Sequence, residues 1–317
     1  MNHEIINMNE LLQSILQHDL DPLFAKEFFH TPEKAKQFCQ WLQCYIQTSL
    51  NLTKNMDIIA LTRLAKEVVL GYDVMNEILV ARKKIEFKDS EWCIPLHAIY
   101  ELHSLFQLSN LHSEHLQQLV GIHMEPDYMY IVSQHVPLSF HSLFRRCNDP
   151  LPWEFVLLKV YELIHVVSLL HSNQLAHRDI KSDNICFNSC GKLVLLDFDC
   201  ASIGEIRPTF PICTLTTRPP ELIEFQLNGS KNNVYNAFAL DWWSVACVIA
   251  EMFLCEPLFP QDNEHTLLEA IYDIRAQLNS TSGCKLLKRK MPCNVYSFIK
   301  DILTCEPEQR CLCKLVE

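Results

Sequence analysis

Residues 175 to 202 read LAHRDIKSDNICFNSCGKLVLLDFDCAS, and few folds accommodate such a stretch. Two short apolar runs flank NSCG, the pattern of a strand, a turn and a second strand. Asp179, Lys181 and Asn184 lie on one tight loop before the first run, and Asp197 closes the second. Carboxylate and amide oxygens suit a hard cation such as magnesium. A lysine beside them suits the charge of a phosphate. Any one of these residues alone reads as a surface charge. The ordered, strand-flanked set reads as a site.

The pattern around this stretch changes twice along the chain. Residues 1–55 read as a helical extension. MNELLQSIL has leucines at helical period, and HTPEKAKQFCQWLQCYIQ opens with Thr31 as an N-cap and Pro32 at the first helical position. Such a segment either packs on the neighbouring lobe or docks a partner. From about 57 to 136, DIIAL, EVVLGY, EILVARKKI and YMYIVS are short and rich in β-branched and aromatic residues, so they predict strands. PLHAIYELHSLFQL, at 95–108, has helical spacing. Beyond 137 helices dominate. WEFVLLKVYELIHVVSLLHS (153–172) is apolar nearly all round and predicts a core helix. WWSVACVIA (242–250) is too short to span a bilayer and predicts a second buried helix. The expected class is α+β: a small sheet with one main helix over 56–136, and a larger helical part over 137–317.

Charge and cysteine usage narrow the function classes. A net charge of −11 disfavours a general nucleic-acid-binding role, which needs a basic face. The one basic cluster, KLLKRK at 285–290, reads as a solvated helix face ahead of a nuclear import signal. Fifteen cysteines are present, without paired CxxC units, so they read as reduced, mostly buried thiols and not as a metal quartet. The expected setting is intracellular, cytoplasmic or nuclear, with no membrane partner.

HRDIKSDN resembles the catalytic loop of eukaryotic protein kinases, and DFD stands where their DFG magnesium motif belongs. The resemblance runs in order from about 57 to 317. It is nearest to the cyclin-dependent and mitogen-activated kinases, although the stretch from Ile271 to Arg310 is shorter than is usual there. LVARKKI resembles their third strand, IPLHAIYE their cyclin-binding helix, TLTTRPPE the end of their activation segment, and DWWSVACVIAEM the central helix of their large lobe. The resemblance implies a bilobal kinase fold, with an antiparallel sheet in the small lobe, that uses ATP and magnesium and acts on serine or threonine of protein substrates, with a cyclin-like or other regulatory protein as partner.

Residue by residue, it makes Asp179 the group that orients the attacking hydroxyl and Lys181 the stabiliser of the transferred phosphate. Asn184 and Asp197 become magnesium ligands, and Lys83 the lysine that grips the α- and β-phosphates, paired with Glu101. Val68 and Ala81 would line the adenine site, the backbone of Gln134 to Val136 would bond adenine, and Ser133 would be a small gatekeeper. Thr214 would bond Asp179. Asp241 would brace the catalytic loop, and Glu221 would pair with Arg310. Arg178 would meet a phosphate on the activation segment, with Thr209 as the candidate acceptor. Arg218 matches an arginine common in proline-directed kinases.

Two positions depart from that pattern. The phosphate-covering loop should fall in ALTRLAKEVVL, with glycines near Leu61, Arg63 and Lys66, and none of the three is glycine. Side chains there hold backbone amides away from phosphates or force a different turn, and Lys66 offers only partial compensation by charge. Asp199 replaces the glycine of DFG. Aspartate tolerates a left-handed backbone better than most residues, and its carboxylate either adds charge near Asp197 or simply faces solvent. An active kinase is the first reading, because every group that does chemistry is retained. A pseudokinase serving as a scaffold is the second. A small-molecule kinase is the third, disfavoured by TLTTRPPE and Arg310.

Overall fold

The computed structural model describes residues 57–86, 95–125, 128–146, 151–204, 213–228, 235–304 and 306–310. The expected N-terminal extension and Thr209 lie outside these residues. The chain divides after His135 into two compact units.

The first unit is built on a five-stranded antiparallel sheet. Its strands are β1 (Ile58–Arg63), β2 (Val68–Asp73), β3 (Ile78–Glu86), β4 (Leu119–Met124) and β5 (Tyr128–Gln134), in the order β1-β2-β3-β5-β4. Four of these match the β-branched runs of the sequence. The sequence pattern did not reveal β4, because LVGIHM is interrupted by Gly121 and a register shift against β5 breaks its alternation. Helix α1 (Leu96–Ser109) packs on β4. Ala98, Leu102, Leu105 and Leu108 recur every three or four residues and are all buried, which is why this segment is a helix and how it is oriented. Glu101, three residues after Ala98 and four before Leu105, lies on the same face, 1% exposed.

The β1–β2 hairpin resolves the question of the missing glycines. Its turn spans Leu64 to Glu67, and the amides of Leu64 and Ala65 both donate to the carbonyl of Val68, at 2.9 and 3.1 Å. No residue from 57 to 76 has a left-handed backbone; Glu77, in the next turn, does. The chain thus makes a different turn, as side chains at these positions require. The glycine of this hairpin, Gly71, sits within β2, where a Cβ would come within 2.6 Å of Ile58 Cγ2.

The second unit is mainly helical. Helices α2 (Phe140–Arg146), α3 (Trp153–Ser172), α4 (Pro220–Asn228), α5 (Ala237–Leu254), α6 (Glu264–Asn279), α7 (Lys285–Lys290) and α8 (Cys293–Thr304) accompany a three-stranded sheet of β6 (Leu138–Ser139), β8 (Ile185–Phe187) and β9 (Leu193–Leu195). A two-stranded pair joins β7 (Leu175–Ala176) to β10 (Ser202–Ile203). In α5 every residue from Ala239 to Met252 is buried, so its all-round hydrophobicity is that of a core helix. Asn236 caps its start by accepting from Ala239 N, and Cys255 ends it in the left-handed region, φ 64°. Both α3 and α5 contact each other, and α8 packs on α5.

The expectation for α3 needs correcting. Val156, Val160, Leu163, Val167 and Leu170 form its buried stripe, but Trp153, Leu158 and Tyr161 are 57%, 52% and 69% exposed. The helix is apolar on a face that solvent reaches. It buries a charge instead: Lys159, 2% exposed, donates to Glu162 at 2.8 Å and to the Gly191 carbonyl at 2.6 Å. Glu162 in turn accepts from Leu193 N, so this internal pair anchors β9 to α3.

Candidate active site

The loop before β8 is held from below by α5. Asp241, fully buried, accepts from the amides of His177 at 2.8 Å and Arg178 at 2.7 Å, and from His171 Nε2 at 2.9 Å. Two consecutive amides converge on one carboxylate because Arg178 adopts φ 66°. His177 extends the brace. Its Nδ1 accepts from Asp179 N at 3.2 Å, which leaves Nε2 to donate to the Leu196 carbonyl at 2.9 Å and fixes the tautomer. Its ring packs on the buried Phe198, centroids 4.7 Å apart.

These contacts fix Asp179. One carboxylate oxygen accepts from Thr214 N at 2.8 Å and Thr214 Oγ1 at 2.7 Å; the other accepts from Lys181 Nζ at 2.6 Å. Burial pushes the Asp179 carboxyl up. The Lys181 hydrogen bond and charge, with the Thr214 donors, outweigh it and hold the group below the usual carboxylate range. Burial likewise pushes Lys181 down, and its bond and attraction to Asp179, with Asp197 nearby, carry it above its ordinary value. Asp179 is therefore a charged, acceptor-only group at neutral pH.

Asn184 closes the loop. Its amide nitrogen donates to the Asp179 carbonyl at 2.9 Å, which directs donors inward and leaves the side-chain oxygen for a cation. Its own carbonyl accepts from Leu196 N at 2.9 Å, so Asn184 and the residue preceding Asp197 are tied together across β8 and β9. Asp197 is half-buried with φ 66°. The left-handed residue of DFD is thus Asp197; Asp199 keeps an ordinary backbone and bonds the Cys200 thiol. Asp199 neither needs the conformational tolerance allowed to it nor simply faces solvent. Among the described residues no cluster of three or more His, Cys, Asp or Glu could cage a metal. Magnesium bound to phosphates does not require one, since it takes one or two protein oxygens and keeps waters. Asn184 and Asp197 fit that need.

The segment beyond is anchored as firmly. Arg310 meets Glu221 with two bonds, 2.6 and 3.1 Å, and lies over the Trp243 ring at 4.8 Å. Cys213 adopts φ 67°, and its carbonyl accepts from both Nε and Nη2 of Arg218, at 3.2 and 2.8 Å. Sequence reasoning missed another buried pair, Ser182 with Glu251 at 2.7 Å, because its members are 69 positions apart and lack a local signature.

In the first unit, Lys83 on β3 meets Glu101 on α1 at 3.1 Å. Val68 lies directly across from Lys83 in the β2–β3 register, and Ala81 across from Ser133 in β3–β5. Ser133 is 6% exposed. Gln134 N donates to the Gln118 carbonyl and His135 N to Leu79, both bonds close to 3 Å, which pins the end of β5. Gln134 ends β5 in the first unit, and Val136 begins the second.

Both halves carry the constellation that defines protein kinases, and residues 65–316 match the protein kinase domain family. The chain belongs to the protein kinase family, of the eukaryotic Ser/Thr type. Its relatives include cyclin-dependent kinase G1 of Arabidopsis thaliana, 29% identical over 240 residues that make up 72% of this chain and 38% of that protein. Cyclin-dependent kinase 1 of Encephalitozoon cuniculi is 31% identical over 209 residues, 64% of this chain and 67% of that one. In fold, the chain is similar to one in the crystal structure of the yeast RNA Pol II CTD kinase CTDK-1 complex: TM-score 0.67, 20% identity, 82% of this chain and 91% of that one. The family match begins within the β1–β2 turn, past Leu61 and Arg63.

Proposed function

We propose that this chain transfers the γ-phosphoryl group of ATP to serine or threonine hydroxyls of proteins. The observation that carries this reading is Asp179: ionised, held by Thr214 and Lys181, and fixed in place by Asp241 through His177. Such a carboxylate orients an attacking hydroxyl and accepts its hydrogen bond. Lys181 lies against it, ready to offset charge on the transferred group. Lys83, aligned by Glu101, holds the phosphates of ATP. Asn184 and Asp197 would hold magnesium, whose chemistry there is neutralisation of phosphate charge. Val68, Ala81 and the backbone around Gln134 and Val136 would receive adenine, with Ser133 leaving room behind it. A cyclin-like regulatory partner is proposed from the relatives' names and the likeness of α1 to a cyclin-binding helix. The test is mass spectrometry of the protein and candidate substrates after incubation with Mg-ATP. Phosphate gained by wild type and not by Asp179→Asn is the supporting result; none gained by either overturns the reading.

Substrate selection rests on Cys213 and Arg218. The Cys213 carbonyl is occupied by two guanidinium donors and cannot accept from a peptide N–H placed beside it. A residue after the acceptor that carries an N–H would leave that donor unpaired; proline has none to lose. Peptides with Ser/Thr-Pro should therefore show kcat/KM roughly 10-fold or more above otherwise identical Ser/Thr-Ala peptides, the order of one unpaired buried donor. Equal values for both peptides would remove this preference.

A pseudokinase is the second reading, and the β1–β2 turn favours it. Two amides that would face phosphate are spent on Val68. Thermal stabilisation by Mg-ATP without transfer to any of a broad substrate panel would decide for it.

A further inference from the structure

Among the described residues, the Arg178 side chain has two partners, both neutral oxygens of the protein itself. Its Nε donates to the carbonyl of Cys200, and its Nη1 to the hydroxyl of Tyr235 at 2.6 Å. Neither is a carboxylate. Tyr235 is 5% exposed and belongs to a buried cluster with Ala176, Cys213, Leu222, Ala237 and Leu240. A buried ring held in that cluster, with few rotatable bonds, limits the positions open to its hydroxyl.

The connections made by this pair reach three backbone stretches. Arg178 stands next to Asp179 and bonds Asp241 through its own amide. Cys200 follows Asp197 by three residues and leads into β10, which pairs with β7 at Ala176. Cys213, packed in the same cluster, precedes Thr214, which holds Asp179. One guanidinium and one phenol thus join the catalytic loop, the residues after Asp197 and the residues before Thr214.

We infer that Tyr235 is a positioning residue that orders the segment after Asp197 through Arg178, and that this order does not require phosphorylation. The inference rests on the kinase reading for its catalytic consequence and on geometry alone for its structural one. A phosphate would bring a charge near −2 and three acceptor oxygens to a guanidinium. The Tyr235 hydroxyl brings one acceptor and no charge, and it is built into the core. Removing phosphate from the protein therefore leaves Arg178 with both of its partners.

The test compares wild type, Tyr235→Phe, Arg178→Gln and the double variant, each before and after treatment with a phosphatase. Phenylalanine keeps the ring in the cluster and deletes only the hydroxyl. Amide hydrogen exchange over residues 200–204 and 213–217 should be the same in treated and untreated wild type. It should be roughly 10-fold or more faster in Tyr235→Phe, the order of one lost hydrogen bond to a charged group. In steady-state assays Tyr235→Phe should raise KM for a protein substrate and lower kcat, leave KM for ATP within about twofold, and add nothing on the Arg178→Gln background. Loss of folded protein would lower kcat alone, without that split.

Unchanged exchange in Tyr235→Phe, or exchange in wild type that rises on phosphatase treatment, overturns the inference whether or not the chain transfers phosphate. Absence of transfer in wild type, with the exchange difference intact, overturns the kinase reading and leaves the positioning role standing.

Discussion

Asp179→Asn is expected to lower kcat for phosphotransfer by about 10³-fold, the middle of the range for losing a positioned general base. Asparagine keeps the size and shape of the side chain, and its oxygen can still accept from Thr214 N and Oγ1. What it loses is the charge that pairs with Lys181 at 2.6 Å and the capacity to accept from a substrate hydroxyl. Circular dichroism and the thermal midpoint should stay close to wild type, because Asp241 and His177, not Asp179, carry the loop. The pH dependence is set by the direction of the Asp179 shift. Its folded pKa lies below the ordinary 3.8, so it is ionised throughout the neutral range. The stabilisation it contributes is present above the unfolded value and is lost only as pH falls through the folded one. Loss of rate between pH 8 and 6 must then come from another group. A labelled-ATP assay in which Asp179→Asn matches wild type would remove Asp179 from the chemistry.

Much of this arrangement was legible in the residues. The runs that became β1, β2, β3 and β5 carry β-branched and aromatic side chains, and α1 shows its buried stripe at 98, 102, 105 and 108. The ordered motif HRDIKSDN located the loop, and the family likeness located Asp241, Glu221 and Arg310, whose bonds the structure then supplied. What stayed hidden has a common physical origin. The Lys159–Gly191 bond, the Ser182–Glu251 pair and the Arg178–Tyr235 bond join residues 32, 69 and 57 positions apart, and periodicity reports only on neighbours. Hydrophobicity misjudged α3 because it counts apolar residues without knowing which face has a neighbour. The absence of glycine in ALTRLAKEVVL was visible, but the turn the chain makes there depends on which carbonyl its amides find, and they find Val68. The same limit applied to DFD: the substitution at Asp199 drew attention, while the backbone placed its left-handed residue at Asp197.

Asp241→Ala is expected to destabilise the second unit by about 3–5 kcal/mol, the usual result of removing one partner from a buried charged network. Three donors converge on this carboxylate: two backbone amides and His171. Alanine leaves them without an acceptor in a site that excludes water, and each unsatisfied buried donor costs roughly 1–3 kcal/mol before relaxation. The amide of Arg178 is the most consequential. Its residue holds φ 66°, a conformation that costs a non-glycine side chain roughly 1–2 kcal/mol and persists only where neighbours enforce it. Without Asp241, Arg178 is expected to relax toward negative φ. That movement withdraws its guanidinium from Tyr235 and Cys200 and rotates Asp179 away from Thr214. The transition midpoint in urea should therefore fall with little change in its slope, and transfer should be lost even at temperatures where the protein remains folded. Asp241→Asn, which retains one acceptor oxygen, should lie between alanine and wild type in both measurements. If Asp241→Ala unfolds at the wild-type midpoint, the brace beneath the catalytic loop must lie elsewhere, with the His177–Leu196 bond and the packing of His177 on Phe198 as the next contacts to test.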